Sequence, residues 1–274
     1  MMAEWYEEPR LVFRPALAID TRDVLRFTRL IWDGDDYMPH VWQEWLAAPH
    51  AQLLTAEYNG HCVGIARLRE LYPGQWWLEG LRVDRDFQDR QIGSRLNDFM
   101  INRWLQTCRG SLRLLTTSTR IKIHHLCERS GFTRISDRWL YIADPCEGEH
   151  AFRAVLEADL PAVLEMEQDP VLEETLGGLV DCGYEHARLQ LDYLRECLGE
   201  GRLWWWRDRR AVLSAWVDED DKEGRDTLFI GWLAARMGDL PAVLTDLRIL
   251  AARQGLQQAG WWVPPEEKVV QAMK

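Results

Sequence analysis

Long apolar runs are missing from this chain of 274 residues. None approaches the roughly 18–20 residues that span a bilayer, so no transmembrane segment is expected. A surplus of positive charge is missing too: lysine and arginine together number 33 against 44 aspartates and glutamates, a formal net charge of −11. Binding to duplex nucleic acid over a broad surface needs the opposite sign, and so does an anionic membrane surface. The first ten residues, MMAEWYEEPR, have neither the basic region nor the apolar core of a signal peptide. The six cysteines (Cys62, Cys108, Cys127, Cys146, Cys182, Cys197) form no Cys-x-x-Cys pair, and scattered cysteines read as reduced thiols. These absences predict a soluble, cytoplasmic protein with no nucleic-acid or membrane partner.

Hydrophobic residues make up 47% of the chain and charged residues 28%, the balance of an ordinary folded protein. Fifteen tryptophans are present, several side by side (Trp76-Trp77, Trp204-Trp205-Trp206, Trp261-Trp262). Such clusters suit strands covered on both faces. In the first half the patterning predicts a strand at 11–18, a helix at 23–32, a break at DGDDYMP (33–39) and a helix at 40–47. Apolar runs at 53–58 and 62–68 flank Asn59-Gly60, residue types that accept the positive φ of a tight hairpin turn. After the Pro73-Gly74 turn come a strand at 76–83, a polar loop and a helix at 94–104. A strand at 112–116, an amphipathic helix at 121–129 capped by Gly131, and a closing strand at 138–142 complete the expected first domain, 1–143. The polar stretch DPCEGEH (144–150) is the expected linker.

The second half, 151–274, repeats the plan. FRPAL (13–17) is echoed by FRAVL (152–156), the hairpin at 53–68 by 203–217, and LEGLRV (78–83) by FIGWLA (229–234). A helix at 240–254, a strand at 258–263 and a last helix at 265–274 follow. The expected fold class is α+β, a mixed sheet with helices, in two tandem copies.

The stretch EGLRVD (79–84) leading into QDRQIGSRL (88–96), with LCERSGF (126–132) downstream, resembles the GNAT superfamily of acyl-CoA-dependent N-acyltransferases. The resemblance covers about 11–143 in the order of elements. The family loop reads Gln or Arg, two residues, Gly, one residue, then Gly or Ala; Gln88 and Gly93 match, whereas Gln91 replaces the inner glycine. DYMP (36–39) with Trp42 and Trp45-Leu46 also looks like the branch containing histidine N-acetyltransferase-like proteins. The physics of such a loop is an anion cradle. Backbone N–H groups of Asp89, Arg90, Gln91, Ile92, Gly93 and Ser94 converge on a phosphate, and the dipole of the following helix adds about half a positive charge. Gly93 leaves clearance for the pyrophosphate. Gln91 either takes a left-handed conformation, at about 1–2 kcal/mol, or shifts the loop. Arg85, Arg90 and Arg95 are available to screen the remaining charge. The resemblance further implies acetyl-CoA as co-substrate, with Leu81, Arg82 and Val83 offering open backbone to pantetheine.

Acyl transfer to an amine needs a neutral amine, a stabilised oxyanion and a proton for the leaving thiolate. Glu79, just ahead of the pantetheine segment, stands where several family members place a general base. The family's acid, a tyrosine four residues before the C-terminal Gly-Phe, is replaced by Cys127, either a thiol proton donor or a half-buried structural cysteine. Tyr141, His124 and His125 are further candidates for the acid. His124-His125 lacks metal-ligand spacing on one helix face, so no metal site is expected. Asp35, Asp36, Tyr37, His40 and Trp42 occupy the segment that walls the acceptor site in GNAT proteins, and the DGDD run suits a cationic acceptor. In the second copy MGDLPA (237–242) stands where the cradle belongs, with Asp239 repelling phosphate and Pro241 lacking an N–H, so that copy is expected to be degenerate. The chain thus reads as an N-acetyltransferase for a small amine or amino acid, a monomer or homodimer. The alternative is a non-catalytic acyl-CoA-binding or interaction protein on a decayed tandem scaffold.

Overall fold

The computed structural model describes residues 11–219 and 224–273. The first ten residues and Lys274, included in the expectations above, lie outside them. The chain divides into two compact units, 1–133 and 134–274.

In the first unit, strands β1 (Leu11–Pro15), β2 (Ala51–Tyr58), β3 (His61–Tyr72), β4 (Gln75–Val83) and β5 (Ser111–Arg113) form a five-stranded sheet in that order. The first four are antiparallel neighbours, and β5 runs parallel to β4. Asn59 and Gly60 take φ of +50° and +83° in the β2–β3 turn, as the mirror-image hairpin turns require. Helices α1 (Thr21–Thr28), α2 (Met38–Ala47), α3 (Ile92–Thr107) and α4 (Ile121–Arg129) cover the sheet or border it. Period-two alternation divides the strand side chains between two cores. Leu54, Ala66 and Leu68 pack with Ile92, Leu96 and Met100 of α3, which recur every four residues and so share one helix face. Leu53 and Ile65 pack instead with Val24 and Phe27 of α1 and with Trp42 and Trp45 of α2.

Helix α4 ends as Gly131 predicts. That residue has φ +85°, its N–H donates to Glu128 O, and the N–H of Phe132 donates to Cys127 O, each at 3.0 Å. This is the paired hydrogen-bond pattern of a Schellman cap.

The second unit contains β6 (Trp139–Ala143), β7 (Phe152–Ala154), β8 (Leu179–Asp181), β9 (His186–Arg188), β10 (Leu203–Trp206), β11 (Ala211–Asp218), β12 (Thr227–Ala234) and β13 (Gln258–Val263), with helices α5 (Leu160–Leu164), α6 (Pro170–Leu176), α7 (Leu191–Gly199), α8 (Leu240–Arg253) and α9 (Glu267–Ala272). Six strands form a sheet ordered β6-β13-β12-β11-β10-β7, and β8 pairs with β9 alone. The elements of 165–199, among them α6, the β8–β9 hairpin and α7, have no counterpart in the sequence reading.

One strand is reassigned. The stretch 138–142 was expected to close the first sheet. Instead β6 lies against β13 in the second sheet, antiparallel, with Tyr141 opposite Trp261. The stretch 144–150 is therefore no linker between sheets. It joins β6 and β7, the two edges of one sheet, and is strapped to α8: Arg248 Nε donates to Asp144 O at 2.7 Å and Arg253 Nη2 to Gly148 O at 2.8 Å. An apolar alternating run identifies a strand, but its partner is a non-local choice that composition does not encode.

Two local devices recur in both units. After β1, the Leu17 N–H donates to the Asp20 carboxylate at 2.7 Å; after β7, the Leu156 N–H donates to Asp159 at 3.2 Å. Strands β4 and β12 are also both bulged. In β4 an extra residue falls between Glu79 and Arg82, opposite Arg67 and Ile65 of β3, and in β12 Gly231 is the extra residue between Ile230 and Trp232.

Candidate functional site

The bulge in β4 shapes the site. Gly80 sits in it at φ +68°, a conformation that only glycine takes cheaply. Below the bulge, Glu79 lies directly opposite Arg67. Arg67 Nη1 and Arg69 Nε both donate to Glu79 Oε1, at 3.0 and 3.2 Å. The Arg67 guanidinium in turn lies 4.5 Å from the centroid of the Trp45 ring. Glu79 is largely buried, and its carboxyl is raised above the ordinary value because burial outweighs the two arginines. A carboxylate so tuned is a stronger base than an exposed one. Arg67, Arg69 and Gly80 were not singled out in the sequence, although an isolated glycine inside a strand is the standing signal for a bulge.

Above the bulge the strand is open on one side. Strand β5 pairs with β4 only at Gln75, Trp76 and Trp77, and among the described residues no strand pairs with Leu81, Arg82 and Val83 on that edge. The carbonyls of Leu81 and Val83 accept only side-chain donors, from Arg82 Nη1 at 3.4 Å and Gln88 Nε2 at 3.3 Å.

Strand β4 runs directly into the loop. Asp84, 2% exposed, anchors its start. It accepts from Arg26 Nη2 at 2.7 Å and from the Asp86 N–H at 3.1 Å, while its own N–H donates to Val63 O. Beyond it, Asp89 and Gln91 both take φ +60°, and Arg90 between them does not. Gln91, the residue in place of the family glycine, is thus left-handed and caps α3 at φ 60°, ψ 9°. Of the two ways this position was expected to resolve, the strained conformer is the one present. Alternation of this kind turns successive N–H groups toward one side as an anion nest. Among the described residues, the N–H groups of Asp89, Arg90, Gln91, Ile92, Gly93 and Ser94 have no hydrogen-bond partner. Gly93 has ordinary φ, and a Cβ there would meet only Val83 Cγ2, at 3.3 Å. Its value lies in clearance rather than conformation. Arg85 Nη2 donates to Leu30 O, Arg90 lies over Phe87 and Arg95 over Phe13. Among the described residues none of the three forms an ion pair. The exposed Asp89 carboxylate is met by Lys122 of α4 at 3.1 Å.

The segment expected to wall an acceptor site is redistributed. Asp36 is buried and bound by Arg82, Nε to Oδ2 at 2.9 Å and Nη2 to Oδ1 at 3.2 Å, and it also accepts the Met38 N–H. Its charge is neutralised internally, so Asp36 does not serve as a free anion for a cationic acceptor. Trp42 is fully buried and donates from Nε1 to Thr21 Oγ1 at 2.9 Å; it is a core residue with no open face. Tyr37 is 40% exposed and lies between Trp32 and Trp45, with centroids 6.4 and 6.1 Å away. Burial raises its hydroxyl above the usual tyrosine value. His40 is exposed on α2.

The candidate acids separate. Cys127 is half-buried on α4, and burial raises its thiol. Tyr141 stands on β6, packed against the core of the second unit. His124 Nε2 lies 3.0 Å from Thr117 O, and His125 pairs with Glu128. Among the described residues no group of three or more His, Cys, Asp or Glu side chains is placed to hold a metal ion, and no helix is long and apolar enough to cross a membrane.

In the second unit the loop after β12 holds a 3-10 turn, Met237–Asp239, before α8, with Pro241 in the first turn of the helix. Asp239 is buried there and paired with Arg210. Beside this pair lies a cavity of about 450 Å³ whose lining includes Glu165, Glu167, Trp205, Arg209 and Arg236.

Comparison with known proteins follows this geometry. Residues 17–132 match the acetyltransferase (GNAT) family, a span that holds β4, the loop, α3 and α4. A GCN5-related N-acetyltransferase from Sphaerobacter thermophilus aligns with 94% of this chain and 87% of its own, at 15% identity and a TM-score of 0.59. A Thermoplasma acidophilum protein aligns with 93% of this chain and 91% of its own, at 16% identity and a TM-score of 0.57. A region described as GCN5-related glucosamine N-acetyltransferase, in a fungal multi-domain GH3 β-N-acetylglucosaminidase, aligns with 97% of this chain and 37% of that one, at 12% identity and a TM-score of 0.65. No curated protein matches. At these identities the likeness is one of fold. Residues 17–132 are therefore similar to the acetyltransferase (GNAT) family.

Proposed function

We propose that this chain is an acyl-CoA-dependent N-acetyltransferase acting on the amine of a small molecule. The observation that carries the reading is a continuity: the open edge of β4 at Leu81, Arg82 and Val83 leads into six consecutive N–H groups without partners, from Asp89 to Ser94. An extended arm fits the first and a pyrophosphate the second. In this reading Leu81, Arg82 and Val83 pair with pantetheine, and the nest takes the pyrophosphate with Arg85, Arg90 and Arg95 nearby. Bound acetyl-CoA would supply an acyl group activated as a thioester. Glu79 takes a proton from the acceptor ammonium, directly or through water. The freed amine nitrogen bonds to the acyl carbon as the carbon–sulfur bond breaks, and the second proton that the nitrogen loses passes through water to the leaving sulfur. Arg67 and Arg69 hold Glu79 in place and stabilise its charged form between turnovers.

The second unit reads as a degenerate copy of the first. Its support is the shared capping device after β1 and β7 and the shared bulge at Gly80 and Gly231. Ile230 stands where the first unit has Glu79, and the Arg210–Asp239 pair occupies the place of the nest. An anion there meets a carboxylate and a proline, so this unit holds no second CoA.

Calorimetric titration with acetyl-CoA, followed by thiol release across a panel of amines, tests the proposal. One site per chain and amine-dependent thiol release are expected. Two sites, or none, would overturn it; one site without thiol release from any amine favours a binding protein instead.

A further inference from the structure

In the second unit a buried carboxyl, Asp181, and a guanidinium, Arg138, lie within electrostatic reach of each other without forming an ion pair. We propose that the two form a pH-operated switch: when Asp181 ionises, Arg138 leaves the Leu176 carbonyl for Asp181 Oδ2, and the β8–β9 hairpin pivots at Gly177 and Gly178. The inference rests on this unit alone and is independent of the acetyltransferase reading.

Each group is short of partners. Asp181 is 2% exposed; its Oδ1 accepts two N–H groups, and its Oδ2 has no partner. Such an oxygen is tolerable on a neutral carboxyl and costly on a carboxylate. Arg138, just before β6, is partly buried and forms no ion pair among the described residues. It donates to two carbonyls, from Nη1 to Trp262 O at 3.3 Å and from Nη2 to Leu176 O at 3.4 Å, both at the long end of hydrogen bonding. Burial lowers the pKa of Arg138, and the charge that opposes this is Asp181. One movement, Nη2 from Leu176 O to Asp181 Oδ2, gives the carboxylate its missing donor and the guanidinium a charged acceptor.

The hairpin is joined to the unit in a way that permits the movement. Strands β8 and β9 pair with each other and with no other strand. Leu176, whose carbonyl Arg138 holds, ends α6, and the next two residues, Gly177 and Gly178, take φ of +62° and +65°. Glycines at the end of an element absorb the dihedral change of a hinge at little cost. The other ionisable groups nearby are engaged. Asp218 of β11 works against ionisation of Asp181 and is itself bound by the Tyr184 hydroxyl. Tyr193 of α7 is bound to Ser214, and Cys182, Glu185, His186 and Arg188 of the hairpin have partners of their own. Among the described residues Arg138 is thus the cation left for a new carboxylate. Burial raises the Asp181 carboxyl to about 6, so the neutral arrangement holds below that pH and the ion pair forms above it. Tyr184 carries the change outward, since its ring lies 5.4 Å from that of Trp216 and 6.1 Å from that of Trp262.

The test follows the full chain from about pH 4 to 8 by tryptophan fluorescence and by hydrogen exchange of residues 177–188, with Asp181→Asn as the reference at each pH. Wild type is expected to show one transition near pH 6 in both readouts, and Asp181→Asn none. Arg138→Gln is expected to abolish the fluorescence change while the titration of stability persists in urea unfolding. That titration should move to higher pH, because a cation favouring the carboxylate is gone. Arg138→Lys keeps the charge without the fork and should retain part of the fluorescence change; it stands in if Arg138→Gln does not fold. A flat response in wild type would overturn the inference, and so would the same transition in Arg138→Gln or Asp181→Asn. A change in exchange spread evenly over β11 and β12 would also overturn it, since that marks general loosening and not a pivot.

Discussion

The Trp45 ring occupies the space that a Cβ on Gly80 would need: such a carbon would lie 2.5 Å from Trp45 Cζ3 and 2.8 Å from Cη2. The contact links three features. The glycine permits the bulge, the bulge admits the indole, and the indole carries Arg67, which holds Glu79.

Gly80→Ala therefore displaces Trp45 and strains a residue at φ +68°. A loss of about 1–3 kcal/mol in unfolding free energy is expected, read as a lower urea midpoint at unchanged slope, with turnover reduced as Arg67 loses its support. An unaltered midpoint would mean that the indole is free to move aside.

Glu79 is raised above the ordinary carboxyl value, chiefly by burial. A general base works only when deprotonated, so activity falls as pH drops through the raised pKa. The acidic limb of kcat/KM is expected above the usual glutamate range of about 4.3. Arg67→Met removes a cation that favours the carboxylate, and should shift this limb to still higher pH. Glu79→Gln should abolish the limb together with most turnover while acetyl-CoA affinity is kept. A pH profile identical in wild type and Glu79→Gln removes Glu79 from the mechanism.

Gln91 is left-handed at φ 60°, which costs a non-glycine residue about 1–2 kcal/mol. Replacement by glycine should leave stability unchanged or raise it by up to about 1 kcal/mol, with acetyl-CoA affinity retained. Gln91→Val places a β-branched side chain in the same conformation and should lower both melting temperature and affinity. Equal behaviour of the two variants would contradict the nest.

Asp181 is buried, with Oδ1 accepting the Gly183 and Tyr184 N–H groups at 3.0 Å and Oδ2 unbonded. Burial raises its carboxyl from 3.8 to about 6. Because the folded-state value exceeds the unfolded one, the proton is held more tightly in the folded chain. The stability this confers is complete below pH 3.8 and is lost as pH rises through about 6, a change on the order of 3 kcal/mol. Asp181→Asn keeps the two accepted hydrogen bonds and removes the titration. The stability advantage of wild type over this variant should shrink between pH 4 and 7 in urea unfolding, and a constant difference would refute the assignment.

Much of the first unit was legible because its signals are local. Asn59-Gly60 marks a turn whatever surrounds it, and Gly131-Phe132 ends α4 through hydrogen bonds confined to one helical turn. The loop from Asp89 to Ser94 belongs to the same class, since its N–H groups are free by virtue of opening a helix. The bulge at Gly80 was within reach of the same reasoning but was passed over as part of a strand motif. Asp36 and Trp42 were misjudged as acceptor contacts because sequence shows residue type and not exposure; one is held by Arg82 and the other fills the α1–α2 core.

By itself the amino-acid sequence determined the order of elements in the first unit up to α4, the hairpin turn, the cap of α4 and the polar loop that opens α3. Backbone sterics and hydrogen bonds between near neighbours suffice for each. The tertiary structure alone decided that β6 joins the second sheet, that Arg67 and Arg69 hold Glu79, and that Arg120 and Arg82 share Trp32. Those contacts join residues distant in the chain, and their energies depend on burial and on partners that exist only once the chain has folded.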